Sequence, residues 1–131
     1  MTESPFPVVL VVAASPAVRH LLEVVLAQHG LSVVSAADGE EALDAALLYR
    51  PDIVLLDFVL PGMRSDVFLA TFRAVPGAAG VPVVVLSDME GGLAARLTTG
   101  AQAYVGKPFD MHDLLGCIHA QLTERRSLGL P

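Results

Sequence analysis

Three side chains able to do chemistry stand at the ends of apolar runs. Asp57 closes IVLLD, Ser87 closes VVVLS, and Lys107 follows AYVG. A carboxylate in such a place can be a nucleophile, a metal ligand or a helix-capping anion. Lys107 is the only lysine in the chain and stands directly before a proline, which sets it apart from a solvated surface charge. The matching place after the first run, VVLVVAAS, holds Ala13 and Ala14, whose side chains carry no chemistry.

The elements that must position these residues are legible as alternating patterns. Apolar runs at 8–13, 31–36, 53–56, 81–86 and 103–105 are rich in Val, and three of them lack strong alternation, as expected of parallel strands covered on both faces. Ser15-Pro16 opens a first helix with an N-cap and a proline at the first helical position, and Val18, Leu21, Leu22, Val25 and Leu26 form its apolar stripe up to Gly30. A second helix is expected from Gly39 to Tyr49 behind Asp38. A third is capped by Ser65 and ends before Pro76. A fourth covers about 90–99, weakened by Gly91-Gly92, and a fifth is capped by Asp110 with Leu114, Leu115, Ile118 and Leu122 inward. Strict β–α alternation in one sheet predicts a doubly wound α/β fold, with five parallel strands flanked by five helices. Ligands of such sheets bind outside the carboxyl ends of the strands, where the strand order reverses. The residues to weigh are therefore Ala13, Ala14, Asp57, Ser87 and Lys107. One domain over residues 8–124 is expected, with tails at 1–7 and 125–131.

Composition narrows the function. Of 131 residues 53% are hydrophobic and 17% charged, which suits a packed globular domain. Net charge is −6 with 8 basic residues, and the one basic doublet is Arg125-Arg126, so nucleic-acid binding is not expected. The single cysteine, Cys117, falls in an apolar helical pattern and reads as a small buried hydrophobe in a reducing compartment. No signal peptide or membrane span is readable, so a cytoplasmic protein away from membranes is expected. His20, His29, His112 and His119 show no metal spacing and read as solvated helix residues. No nucleophile–base–orienter set is readable, so an enzyme is not expected.

From Val8 to about Leu122 the chain resembles the receiver domain of bacterial two-component response regulators. The resemblance rests on LLD…LPGM, then LS, then YVGKPF, in that order. It implies the flavodoxin-like receiver fold, with Asp57 as the equivalent of the phosphate-accepting aspartate. Ser87 then corresponds to the switch hydroxyl, Tyr104 to the aromatic that turns inward, and Lys107 to the lysine that contacts the phosphoryl group. It also implies a cis bond between Lys107 and Pro108. The departure is at the first strand: the family places two acids there that hold Mg²⁺ with the acceptor aspartate, and this chain has Ala13 and Ala14.

Mg²⁺ takes hard oxygen ligands, so its binding is expected to be lost or weak. Asp57 and Lys107 balance each other without a metal, and a buried charge needs such a partner. Phosphorylation would set about two negative charges beside one lysine. The function expected is a stand-alone atypical receiver that signals through protein contact. Its partner, or a second copy, would meet the face of the fourth helix, fifth strand and fifth helix. The alternative is an orthodox receiver phosphorylated on Asp57 by a histidine kinase or phosphotransfer protein. A small-ligand sensor is a third reading, though no Gly-rich phosphate loop follows the first strand.

Overall fold

Runs of Val, Leu and Ile with no polar interruption cannot lie on a half-wet sheet. They form five parallel strands: β1 (Val8–Val12), β2 (Ser32–Ala36), β3 (Ile53–Asp57), β4 (Val83–Ser87) and β5 (Ala103–Gly106). The computed structural model describes residues 6–88 and 100–127, with side chains described through residue 124. Among these residues there are four helices: α1 (Pro16–Gln28), α2 (Gly39–Tyr49), α3 (Ser65–Arg73) and α4 (Met111–Ser127). The last is the fifth helix of the sequence pattern. The expected fourth, at 90–99, lies outside the described residues, so the described helix count is four rather than five. No helix among the described residues is long and apolar enough to cross a membrane.

The strand order is β2-β1-β3-β4-β5. The register pairs Val12 with Ala36 and Leu56, Asp57 with Leu86, and Ser87 with Gly106. Successive side chains alternate between two cores. Leu10, Val12, Val54, Leu56, Val83 and Val85 face α2 and α3, where Phe68 and Phe72 stack with ring centroids 5.8 Å apart. Val9, Val11, Ala13, Ile53, Leu55, Val84 and Leu86 face Leu22 and Leu26 of α1 and Leu114, Leu115 and Ile118 of α4. Asp57 continues the series of Ile53 and Leu55, so its side chain rises on the α1/α4 face.

Helix ends mostly follow their caps. Ser15 Oγ accepts from Val18 N at 3.3 Å, Asp38 Oδ1 from Glu41 N at 2.8 Å, and Asp110 Oδ1 from His112 N at 2.7 Å. Ser65 departs from expectation. It is the first helical residue of α3 and buried, while Arg64 stands at the cap without a side-chain capping bond. Leu21 also departs, being 50% exposed, because a helix packed on a sheet buries a narrow stripe that Leu22 and Leu26 already fill. Cys117 is half-buried rather than fully buried, packed at the margin of the α1/α4 core.

Arg73, at the last turn of α3, ties three segments together. Its Nη1 donates to the carbonyls of Ala78, at 3.0 Å, and Val81. Nη2 donates to Gly100 O at 3.0 Å and Gln102 Oε1 at 2.8 Å, and Gln102 Oε1 also accepts from Val83 N at 2.8 Å. Burial lowers the Arg73 pKa from the ordinary arginine value. Charge-assisted bonds to these acceptors offset the cost of partly burying the cation.

Candidate functional site

Asp57, Ser87 and Lys107 meet because three parallel strands end at one level. Phe58 N donates to Leu86 O and Lys107 N to Ser87 O, both at 2.8 Å, so the ladder carries on into the loops that hold these residues. Lys107 Nζ donates to Asp57 Oδ1 at 2.7 Å, and the two side chains are 28% and 11% exposed. Asp57 Oδ1 also accepts a longer bond, 3.3 Å, from Val59 N. The Lys107–Pro108 bond is cis, as the resemblance implied. Ser87 is buried at the end of β4. Tyr104 lies opposite Val85 in the register and is 39% exposed, so its ring stands at the rim rather than inside.

The β3–α3 loop shapes the near wall. Gly62 turns it with φ of +75°, a conformation that costs glycine little. Met63 then presses on the start of α2: a Cβ at Gly39 would come within 2.6 Å of Met63 Sδ. Phe58, Val59, Leu60, Arg64, Ser65 and Asp66 line a cleft of about 390 Å³ along this loop. Asp66 is held by Arg64, Nε to Oδ1 at 3.1 Å and Nη2 to Oδ2 at 2.9 Å. A second cleft, about 380 Å³, lies among Arg50, Asp52, Phe72 and Val81 toward the opposite end of the strands and shares no residue with this corner.

At the end of β1, Ala13 is 1% exposed and its N–H bonds Ala36 O at 3.0 Å, while Ala14 is exposed. Their carbonyls are engaged by a residue the sequence reading passed over. Arg19 Nη1 donates to Ala13 O at 2.6 Å and to Ala14 O at 3.0 Å. The signal for it was slight: an arginine in the first turns of a helix that starts just after the strand, within reach of that strand's last carbonyls.

Mg²⁺ requires several hard oxygens in near-octahedral array. This corner offers one carboxylate bonded to an ammonium and two backbone carbonyls bonded to a guanidinium. Among the described residues no three His, Cys, Asp or Glu side chains converge. These donors do not fit a magnesium site of the kind the resemblance implied.

The profile of the response regulator receiver domain matches residues 9–119. The chain belongs to that family. Relatives include the DNA-binding response regulator MtrA of Mycolicibacterium smegmatis, 35% identical over 116 residues, covering 87% of this chain and 50% of MtrA. The cell cycle response regulator CtrA of Brucella ovis is 35% identical over 123 residues, covering 92% of this chain and 51% of CtrA. Among solved structures, the chemotaxis response regulator CheY4 of Vibrio cholerae superposes with a TM-score of 0.83 at 27% identity, covering 88% of this chain and 98% of that one. The receiver domain of sensor histidine kinase PA1611 from Pseudomonas aeruginosa PAO1, with a magnesium ion coordinated in its active site cleft, superposes with a TM-score of 0.82 at 26% identity, covering 90% and 98%.

This receiver domain therefore works within two-component signalling. It spans about half the length of the curated relatives it matches. Those relatives give no support to the expectations of a stand-alone domain or of no part in nucleic-acid binding. Asp57, Ser87 and Lys107 end neighbouring strands as the motif order suggested, and Tyr104 lies on β5, 39% exposed.

Proposed function

We propose that this receiver domain signals through protein contact, with the Asp57–Lys107 pair standing in place of a magnesium-dependent phosphoryl switch. One observation carries the reading: Asp57 bonds Lys107 directly, while the acid positions beside it are Ala13 and Ala14. A pair largely out of water and mutually neutral has little reason to recruit a divalent cation. The domain is read as a cytoplasmic binding module without an enzymatic reaction of its own. The surface assigned to the partner is the exposed side of α4 together with Tyr104 on β5, and the partner is a kinase, a phosphotransfer protein or a second copy. Residues 90–99, which the expected face included, lie outside the described residues.

The second reading is an orthodox receiver that accepts a phosphoryl group on Asp57. It is favoured by Asp57, Ser87 and Lys107 meeting at the strand ends. Titration with Mg²⁺, with and without beryllofluoride, followed by amide NMR shifts at Asp57, Ser87 and Tyr104, separates the two. The contact reading expects no saturable Mg²⁺ response at millimolar concentration. A saturable Mg²⁺-dependent response that reaches Tyr104 would instead establish the phospho-switch.

A further inference from the structure

We propose that the outer edge of β2 is a self-association surface, where two copies of this chain pair β2 antiparallel about a two-fold axis and join their sheets into one. This edge is the opposite one from β5, so the proposal goes beyond the contact reading above. Its ground is how the edge is built. β3 and β4 are buried throughout, whereas residues 32–35 of β2 are all half-buried. Ser32 N donates to Pro7 O at 2.9 Å and Ala36 O accepts from Ala13 N at 3.0 Å, so the even-numbered residues turn their backbone groups to β1. By alternation Val33 and Ser35 turn theirs outward, where no strand among the described residues meets them. Edges left open are commonly blunted by a lysine, a proline or a bulge. Ser32–Ala36 has none of these: it reads SVVSA, and its register with β1 runs unbroken.

The fit to a second copy follows from symmetry. Two identical edges pair antiparallel about an axis normal to the sheet, and such a contact closes as a dimer. With the axis at Val34, Val33 of each copy exchanges both N–H···O bonds with Ser35 of the other, which uses every outward group of the two residues. Val34 meets Val34 of the second copy in the close position between those bonded pairs, and the half-buried side chain is covered there. α1 packs on one face of β2 and α2 on the other. Each therefore meets its own counterpart running the opposite way. α2 begins with Glu40 and Glu41 and ends at the exposed Arg50, so antiparallel α2 helices bring the acids of one copy toward the arginine of the other. Leu47 and Leu48 of α2 and Val24 of α1 are exposed on these flanking helices, apolar surface of the kind that association covers.

One group opposes the pairing. Ser35 Oγ donates to Glu23 Oε2 at 2.5 Å, which holds Glu23 level with the axis on the α1 side. The two copies of Glu23 repel each other there, so a micromolar dimer is expected rather than a tight one. This gives a signature: Glu23→Gln keeps an acceptor for Ser35, removes the charge and should tighten the dimer several-fold.

The test is sedimentation of the protein from low micromolar to millimolar concentration, joined to amide hydrogen exchange at Val33 and Ser35. A concentration-dependent dimer is expected, with exchange at both amides slowed as it forms. Val33→Pro removes an outward donor and no bond to β1, and should weaken the dimer at least about tenfold, with thermal unfolding confirming that it is folded. Should Val33→Pro fail to fold, Glu23→Gln decides alone. A monomer at every concentration, a dimer that leaves Val33 and Ser35 exchanging as fast as before, or one indifferent to Glu23→Gln overturns the proposal. Protection that appears at Tyr104 instead overturns it while supporting the contact reading.

Discussion

Replacing Lys107 by Met removes the ammonium and keeps most of its apolar stem. Asp57 is then left as a carboxylate that is 11% exposed and without its cation, still accepting the 3.3 Å bond from Val59 N. Unit charges about 4 Å apart interact by roughly 4 kcal/mol at an effective dielectric near 20. The 28% exposure of Lys107 and the entropy of holding its stem reduce what the pair contributes. The desolvated carboxylate adds back a part, so a loss of about 1.5–3 kcal/mol is expected. For 131 residues, with an unfolding entropy of about 2.1 cal/mol/K per residue, each kcal/mol is about 4 °C in Tm, giving a fall of roughly 6–11 °C. Urea unfolding and a thermal scan measure it. Asp57→Asn should cost less, about 1 kcal/mol, because the longer lysine can turn to water. The double variant Asp57→Leu, Lys107→Met should return to within about 1 kcal/mol of the parent, since an apolar pair carries no buried charge. A Lys107→Met protein unfolding within 2 °C of the parent, or a double variant as unstable as the single, would refute the claim that the pair neutralises the corner.

Arg73→Lys keeps the positive charge but loses the fork that reaches Ala78, Val81, Gly100 and Gln102, and should cost about 1–2 kcal/mol by urea unfolding, with Arg73→Ala costing more; equal stability of Arg73→Lys and the parent would show that charge alone suffices. Burial raises the Cys117 thiol above its ordinary value of 9.0, so iodoacetamide at pH 8 should alkylate the native protein at least about tenfold more slowly than urea-unfolded chain. The sign for stability follows: a thiol whose folded pKa is raised contributes fully below the unfolded value near 9 and loses that contribution as pH rises through the folded value. Cys117→Ser should therefore flatten the alkaline limb of stability above pH 9, and an unchanged limb would count against the burial argument.

Much of this arrangement is legible before any coordinates, and the reasons are physical. Strands of Val and Ile covered on both faces leave continuous apolar runs, and Gly39–Tyr49 begins and ends as its cap and its following proline require. Asp57, Ser87 and Lys107 are legible because parallel strands must end together. What is not legible depends on lone carbonyls presented by other segments. Arg19 and Arg73 owe their places to Ala13, Ala14, Ala78 and Gly100, whose side chains announce nothing. Leu21 misleads for a related reason: periodicity marks a stripe, but packing against the sheet decides its width.

Ala13 has a consequence for how this domain can change over time. Like-charged groups crowded at a strand end are strained in the resting protein, and many active sites accept that loss of stability for the sake of activity. Here the position is a methyl group packed with Leu22 and Leu26 in the α1/α4 core. A chain built this way is released from that compromise and gains a margin of stability. Such a margin can absorb destabilising substitutions elsewhere, so its outer surface is free to vary toward new partners while the fold beneath it stays intact.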